Sequence, residues 1–181
     1  MTSLYCEISS LFGTNDDFSF MSIFLRPFLS RLKMTTPIVN TKETRMIWFD
    51  GEFTGLEVET QRIAEVAAIV TEADLTEVAT YGPVVINQSQ DILENVMSKW
   101  CKRTFKKNGL LEKIKESKIT EEQVETELLE FLKEHTPHFT CPLAGNSVNI
   151  DRLFIDKYLP TVGQHLHYRT IDVSTIKEVW F

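Results

Sequence analysis

The period of the hydrophobic pattern changes near residue 90, and this change constrains the fold more than any other feature of the chain. Before it lie three short runs typical of strands, at residues 46–50, 62–71 and 77–87. The connections between these runs are short enough for hairpins, and Ala73-Asp74 is typical of a turn. This part of the chain is therefore predicted to be an antiparallel meander of three strands.

After residue 90, helical patterns alternate with short strand-like runs. The clearest helix covers residues 120–134, because Thr120 and Gln123 have the spacing of a capping box and apolar residues follow on one face. The other predicted elements are a short helix at 91–100, a strand at 141–145, a helix ended by Pro160, a strand at 167–171 and a helix from about residue 175. Hairpins followed by helix–strand units predict an α/β fold with a mixed sheet.

Asp50 and Glu52 lie at the end of the first apolar run. The alternation of a strand places both carboxylates on one face, where they repel each other unless a cation lies between them. Such pairs are also common on solvated surfaces, so the pair alone leaves a metal site and a solvated surface open. The turn sequence Phe53-Thr54-Gly55-Leu56 follows directly, and this position at a strand end favours the metal site.

The net charge of −7 is distributed unevenly. Residues 21–42 contain no acidic residue, whereas the chain from Met46 onward has 22 acidic and 14 basic residues. Affinity for a long phosphate backbone comes from many Lys and Arg contacts that release counterions. A nucleic acid bound by this acidic part should therefore be short, or should be held through metal ions.

The composition excludes several classes of protein. With 43% apolar and 25% charged residues, the chain is unlike collagen-like, low-complexity and disordered sequences. Its three widely spaced cysteines form neither a disulfide framework nor a zinc pattern, which indicates a reducing compartment rather than secretion. No apolar run reaches the ~20 residues that a membrane span needs, so no membrane association is predicted.

Residues 1–45 are predicted to be an N-terminal extension of one domain, residues 46–181. Within the extension, the stretch from Met21 to Lys33 is rich in Arg, contains Ser and has no acid, which resembles a mitochondrial transit sequence. Asp16 and Asp17 precede it, so targeting fits best if translation begins at Met21. A disordered extension remains the alternative. The expected location is the mitochondrion, the cytoplasm or both, with the nucleus left open.

Four groups of residues have the order and spacing seen in one family of nucleases. They are Asp50-Gly51-Glu52-Phe53-Thr54-Gly55-Leu56; Trp100 with Arg103-Thr104 and Gly109-Leu110; Gly145-Asn146-Ser147 with Asp151-Arg152; and His167-Tyr168-Arg169 with Asp172-Val173-Ser174-Thr175. From Met46 to about Glu178 the chain resembles the mitochondrial-type oligoribonucleases, 3′-to-5′ exonucleases of the DEDD superfamily. The resemblance implies a ribonuclease H-like fold, a homodimer, and hydrolysis of very short oligoribonucleotides to mononucleotides.

The resemblance also implies the metal ligands. Asp50 and Glu52 match the first acidic motif of the family and Asp151 matches the second. Together these residues would be catalytic and would bind two Mg²⁺ or Mn²⁺ ions, which activate water and stabilise the leaving oxygen. The alternative for Asp151 is an ordinary acid in the first turn of a helix, favoured by the helix dipole.

The substrate contacts are implied in the same way. Leu56 and Trp100 match positions that sandwich terminal bases, although Trp100 is also compatible with a place in the core. Ser147 matches a position that contacts the nucleic-acid backbone, and Arg169 is a further substrate-binding candidate. Tyr168 matches a catalytic tyrosine that reaches the active site of the partner subunit in the family's homodimer.

Two positions depart from the family pattern. Gly51 stands where the family usually has a bulky apolar residue, and glycine is expected to weaken the strand. Phe105 stands where the family commonly has a histidine near the substrate phosphate. Around Phe105 there are five basic residues, which either replace the lost contact or form a solvated face: Lys99, Lys102, Arg103, Lys106 and Lys107.

The third motif of the family, a His followed five residues later by an Asp, is expected beyond Phe181. His167 and Asp172 have this spacing, but they belong to another family segment, and the coincidence is interpreted as a decoy. The chain is therefore expected to be C-terminally incomplete, to lack the final helices and to hydrolyse RNA poorly. The alternative function is a catalytically impaired short isoform that binds nucleotides or dimerises.

Overall fold

The computed structural model describes residues 39–180. A short 3₁₀ turn (Lys42–Thr44) and a π-helical turn (Ile92–Val96) accompany five strands and six α-helices there. In chain order the strands are β1 (Met46–Phe53), β2 (Ile63–Thr71), β3 (Glu77–Val85), β4 (Leu143–Gly145) and β5 (Thr170–Asp172). The helices are α1 (Lys99–Asn108), α2 (Leu110–Glu116), α3 (Glu121–His135), α4 (Asn149–Tyr158), α5 (Pro160–His165) and α6 (Val173–Trp180).

The five strands form one mixed sheet in the order β3-β2-β1-β4-β5. β1 pairs antiparallel with β2, and β2 pairs antiparallel with β3, which is the predicted meander. β4 pairs parallel with β1, and β5 pairs parallel with β4. The predicted α/β class with a mixed sheet is therefore confirmed, and β1 is the central strand.

The larger core lies between the sheet and the helices α3, α4 and α5. The capping box predicted at the start of α3 is present: Thr120 accepts from the Gln123 amide and Gln123 accepts from the Thr120 amide. α3 then buries Val124, Leu128 and Leu132 against strands β1, β2 and β4. This apolar stripe contributes to the core, as its 3.6-residue spacing predicts.

The helix predicted at residues 91–100 is replaced by two separate elements. The π-helical turn ends at Val96, and α1 begins after Ser98, whose side-chain oxygen accepts a hydrogen bond of 3.1 Å from the Cys101 amide. α1 ends at Asn108, and the next residue, Gly109, adopts a φ of +82° that favours glycine. The local capping groups therefore shift the helix to a later start than the apolar pattern indicated.

Phe105 belongs to a second, smaller core. Its ring is 1% exposed and packs among apolar residues of the π-helical turn, α1 and α2, together with Ala64 of β2. The neighbouring Cys101 is also buried there. Residue 105 thus faces the protein interior, and its phenyl ring is a structural contact between the helices and the sheet.

Pro160 marks the end of one helix, as predicted, and also the beginning of another. α4 ends at Tyr158, as expected, but Pro160 occupies the first turn of α5. Proline is well tolerated in a first turn because its missing amide has no intrahelical partner there. The prediction of the helix end was therefore correct, whereas the continuation as a second helix was missed.

The transit-like stretch from Met21 to Lys33 lies outside the described residues. Between residues 39 and 180, none of the helices is both long enough and apolar enough to span a bilayer.

We expect Phe105→Ala to lower the free energy of unfolding by about 3–5 kcal/mol, because the substitution leaves a cavity in the second core. Lys133→Ala, at an exposed position of α3, is the control and should change this value by less than about 0.5 kcal/mol. Urea denaturation followed by circular dichroism measures both. A loss below about 1 kcal/mol for Phe105→Ala would contradict the structural role.

Candidate active site

The candidate acids meet where β1 extends beyond β4. β1 is hydrogen-bonded to β4 only near Ile47 and Trp48, so its last residues continue past the end of the shorter strand. Asp50 and Glu52 lie on this projecting part. The chain leaves β4 at Gly145 and soon enters α4, which carries Asp151 in its first turn. Parallel pairing thus brings the second acidic motif to the same end of the sheet as the first.

Asp151 is attached directly to the central strand. Its Oδ1 accepts a hydrogen bond of 2.9 Å from the amide of Gly51, the residue between the two acids of β1. Its side chain is buried, with 6% of the residue exposed. Asp151 therefore does lie in a first helical turn, as the alternative interpretation requires, but it packs against β1 instead of being solvated.

The electrostatics show that the three carboxylates are neighbours. The pKa of Asp151 is raised to about 7, and burial is the largest cause. The Gly51 hydrogen bond lowers this pKa, whereas the negative charges of Asp50 and Glu52 add to the rise. The carboxylate of Asp151 is consequently held in an unfavourable environment near neutral pH. A cation beside it would relieve both the desolvation and the repulsion.

Gly51 makes this arrangement possible. The Phe53 ring occupies the space that a Cβ at residue 51 would need, with the ring Cε1 2.8 Å from that position. The same ring stacks on Phe154 of α4, with 4.0 Å between the ring centroids and an interplanar angle of 18°. β1 remains continuous through Gly51, so the glycine permits close packing of β1 on α4.

The donor set fits a hard divalent cation in its chemistry, since Mg²⁺ and Mn²⁺ prefer carboxylate oxygens. In their present positions, no three His, Cys, Asp or Glu side chains among residues 39–180 are grouped as a metal site. Asp50 and Glu52 are half-buried beside the buried Asp151. Their role as metal ligands remains a prediction, supported by the mutual repulsion described above.

Leu56 and Trp100 lie on two segments that are joined at the end of β1. The Ser98 amide at the start of α1 donates a hydrogen bond of 2.8 Å to the Thr54 carbonyl in the loop after β1. Leu56 is 70% exposed and Trp100 is 62% exposed. The exposure of Trp100 excludes the core alternative, and both side chains are accessible to a ligand beside the acids.

Ser147, Tyr168 and Arg169 lie at the other side of β4. Ser147 has a φ of +53°, and its amide donates to Asp172 Oδ1 at 3.0 Å. Tyr168 is 64% exposed, and the Arg169 guanidinium lies 5.4 Å from the centroid of its ring. These residues are therefore accessible, and the contacts described here join them to Asp172 or to each other rather than to the three acids.

The pair His167 and Asp172 has local structural contacts. Asp172 Oδ1 accepts hydrogen bonds from the Ser174 amide and hydroxyl, at 2.9 Å and 2.6 Å, as well as from Ser147. His167 Nδ1 accepts a hydrogen bond of 3.2 Å from the Arg169 amide. These contacts fix the loop and the start of α6, and the interpretation of the pair as a decoy stays a prediction.

Comparison with known proteins adds an independent observation. Residues 47–180 match the family model described as Exonuclease, RNase T type. The oligoribonuclease of Bordetella pertussis is 50% identical over 137 residues, which are 76% of this chain and 75% of that protein.

The chain belongs to the oligoribonuclease family of exonucleases.

Another member of the family is also similar in sequence, and one solved structure is similar in fold. The human protein named "Oligoribonuclease, mitochondrial" is 48% identical over 135 residues, covering 75% of this chain. The chain spans 56% of the length of that human relative. The crystal structure of E. coli exonuclease I in complex with a dT13 oligonucleotide superposes on this chain with a TM-score of 0.56 at 15% sequence identity. The superposition covers 76% of this chain and 30% of the exonuclease I chain. This likeness supports the predicted ribonuclease H-like fold.

Two residues that are not among the predicted site residues fix the loop after β1. Thr54 is fully buried, and its side-chain oxygen accepts a hydrogen bond of 2.9 Å from the Arg62 amide. The Gln61 side chain accepts from the Glu57 amide at 2.8 Å and donates to the Val96 carbonyl at 3.2 Å, which fixes the Leu56 loop against the π-helical turn. Thr54 belongs to the first family-like group, Asp50 to Leu56, whereas nothing in the local sequence indicates a structural role for Gln61.

The raised pKa of Asp151 predicts a pH dependence of stability in the absence of divalent ions. The folded state binds an additional proton between the ordinary pKa of 3.8 and the folded value of about 7. The free energy of unfolding should therefore fall as the pH rises through this window, and the penalty should be complete above about pH 7. Asp151→Asn should remove this fall.

Urea denaturation with EDTA at pH 4 and pH 8 tests the effect. The advantage of Asp151→Asn over wild type should be larger at pH 8 than at pH 4, by on the order of 2–4 kcal/mol. Glu134→Gln, an exposed substitution on α3, is the control and should show no such difference. An equal advantage at both pH values would show that Asp151 ionises normally.

Proposed function

We propose that this chain carries the active site of a 3′-to-5′ exoribonuclease that degrades very short oligoribonucleotides to mononucleotides. The observation that carries the proposal is the buried carboxylate of Asp151, bonded to β1 between Asp50 and Glu52. A buried carboxylate whose pKa is raised beside other acids is unfavourable for stability and typical of functional sites. Membership of the oligoribonuclease family supports the same activity.

In this proposal Asp50, Glu52 and Asp151 hold two divalent ions, Mg²⁺ or Mn²⁺. Bound there, the ions would supply an activated water and stabilisation of the leaving oxygen. The Gly51 amide fixes one oxygen of Asp151 and thereby the orientation of the whole carboxylate. The Phe53–Phe154 stack holds the helix that carries Asp151 against the strand that carries the other two acids.

The exposed side chains around the acids position the substrate. Leu56 and Trp100 would enclose the terminal bases, because both are exposed and the segments that carry them are joined by the hydrogen bond between Ser98 and Thr54. An exposed tryptophan offers a stacking surface for any base. Ser147 and Arg169 would contact the phosphate backbone. Tyr168 is exposed and would act on the site of the second subunit in a homodimer.

Two observations support a proposal for the cellular location. The stretch from Met21 to Lys33 resembles a transit sequence, and a human relative is named as mitochondrial. We propose the mitochondrion as the principal location, with the cytoplasm as the second.

The metal site is tested by isothermal titration with Mn²⁺. Asp50→Asn should weaken Mn²⁺ binding by at least ~10-fold, because it removes one negatively charged ligand from a small set. Asp91→Asn, an exposed acid next to the π-helical turn, is the matched control. Equal affinities in wild type and Asp50→Asn would end the proposal of a metal site at these acids.

Substrate binding is tested with a diribonucleotide. Trp100→Ala should weaken binding by ~10-fold or more, which corresponds to ~1–3 kcal/mol of lost stacking, and Trp100→Phe should retain most of the affinity. Hydrolysis of the same diribonucleotide with Mg²⁺ or Mn²⁺ then separates the two candidate functions. Binding without hydrolysis by wild type would support the nucleotide-binding or dimerising module, and an unchanged affinity of Trp100→Ala would remove Trp100 from the site.

A further inference from the structure

One face of helix α4 contacts three parts of the molecule that the proposed function uses. Asp151 lies at the start of the helix and is bonded to β1, and Phe154 in its middle stacks on an aromatic ring of β1. Tyr158, the last residue of the helix, contacts the loop after β1, residues 54–62. The three residues share one helix face because they are three and four positions apart. The face that holds Asp151 therefore also holds the loop that carries Leu56.

The Tyr158 hydroxyl makes two hydrogen bonds to this loop. It donates a hydrogen bond of 2.7 Å to the carbonyl of Val58, two residues after Leu56. It accepts a hydrogen bond of 2.6 Å from Arg62 Nη1, at the end of the same loop. The Arg62 guanidinium also lies over the Tyr158 ring, with its Cζ 4.7 Å from the ring centroid. One side chain of α4 thus joins the middle of the loop to its end.

Arg62 also closes the loop at its base. Its amide donates to the Thr54 side-chain oxygen, and its carbonyl accepts from the Thr54 amide, both at 2.9 Å. Arg62 Nη1 donates further to the carbonyls of Thr60 and Gln61, each at 3.1 Å. The residue that joins the two ends of the loop is therefore the same residue that is bonded to Tyr158.

The backbone next to Leu56 is fixed from two directions. On the side of the π-helical turn, the Gln61 side chain accepts from the Glu57 amide. On the side of α4, Tyr158 holds the Val58 carbonyl. Leu56 directly precedes these two fixed residues, and its own side chain is 70% exposed. Since an exposed side chain has little packing of its own, its position depends on these backbone contacts.

We propose that Tyr158 and Arg62 are positioning residues that hold Leu56 in place for the terminal base of the substrate. This inference rests on the proposed function, in which Leu56 contacts that base. A loop that is ordered before binding loses less conformational entropy when the ligand binds, so pre-ordering increases affinity. Neither Tyr158 nor Arg62 needs to touch the nucleotide, because both act through the backbone of the loop.

The Tyr158 hydroxyl can be removed with little change to the core. The Tyr158 ring packs against the larger core beside Phe154, with 5.9 Å between the ring centroids. A phenylalanine at position 158 keeps this packing and loses only the two hydrogen bonds to the loop. Asp151 lies seven residues earlier, about 10 Å along the helix axis. Tyr158→Phe should therefore alter the loop and leave the three acids in place.

Isothermal titration of the full chain with a phosphorothioate diribonucleotide, in the presence of Mn²⁺, tests the proposal. Tyr158→Phe should weaken dinucleotide binding by ~3–10-fold, the loss expected when one or two hydrogen bonds are removed. Its affinity for Mn²⁺ alone should change by less than ~2-fold. Tyr81→Phe is the matched control, because the Tyr81 hydroxyl donates to Glu127 of α3 at 3.2 Å instead of to the loop. The control should change neither affinity by more than ~2-fold.

Two further comparisons identify the route of the effect. In a Leu56→Ala background, the loss caused by Tyr158→Phe should fall below ~2-fold, because the side chain that the loop positions is gone. Arg62→Met should weaken dinucleotide binding by a similar factor to Tyr158→Phe. The combined Arg62→Met/Tyr158→Phe variant should lose less than the product of the two single losses, since both residues belong to one hydrogen-bond network.

Three outcomes would overturn the positioning role. They are an unchanged dinucleotide affinity in Tyr158→Phe, an equal loss of dinucleotide and Mn²⁺ affinity, and a loss that persists in full in the Leu56→Ala background. The first of these, with tight binding by wild type, leaves the proposed function intact. A wild-type chain that does not bind the dinucleotide refutes the proposed function instead, and with it the base contact on which the positioning role rests.

Discussion

The candidate active site is held in place through the central strand β1. This strand is hydrogen-bonded to β2 on one side and to β4 on the other, and it extends past β4 with Asp50 and Glu52. The Gly51 amide in this extension donates to Asp151, and Phe53 stacks on Phe154 of the same helix. The loop after β1 joins the start of α1 through Thr54 and Ser98. A shift of β1 would therefore displace the acids and the exposed Trp100 together.

The packing at this strand has an energetic cost that indicates function. Placing Asp151 in a buried position near two other acids raises its pKa and disfavours the folded state at neutral pH. Two contacts stabilise this arrangement, the Gly51–Asp151 hydrogen bond and the Phe53–Phe154 stack. The lack of a Cβ at residue 51 leaves the space that the Phe53 ring occupies. Proteins keep such unfavourable groups where a ligand or a reaction uses them.

The acids at the end of β1 and the cations on α1 form two neighbouring regions of opposite charge. The acids at the end of β1 would attract divalent ions and repel phosphates unless those ions were bound. The cations on α1 lie beside this region and carry no described carboxylate partner.

The sequence alone determined the class of fold and the identity of the candidate residues. The change from strand-like to helical spacing of the apolar residues predicted the mixed sheet. This was possible because the spacing of apolar residues depends directly on which side chains of a strand or helix are buried. The spacing of the motifs, read as a resemblance, named Asp50, Glu52, Asp151, Leu56 and Trp100 before their positions were known. Local signals also predicted the start of α3, since both partners of its capping box lie within four residues.

Only the tertiary structure decided which of these residues meet and what surrounds them. The Gly51–Asp151 hydrogen bond joins residues that are 100 positions apart, and no local pattern encodes such a contact. The burial of Phe105, the exposure of Trp100 and the division of residues 91–108 into two elements depended on packing against β2 and on the caps around α1. The physical reason is that periodicity fixes which face of an element is apolar, whereas long-range packing fixes what that face contacts.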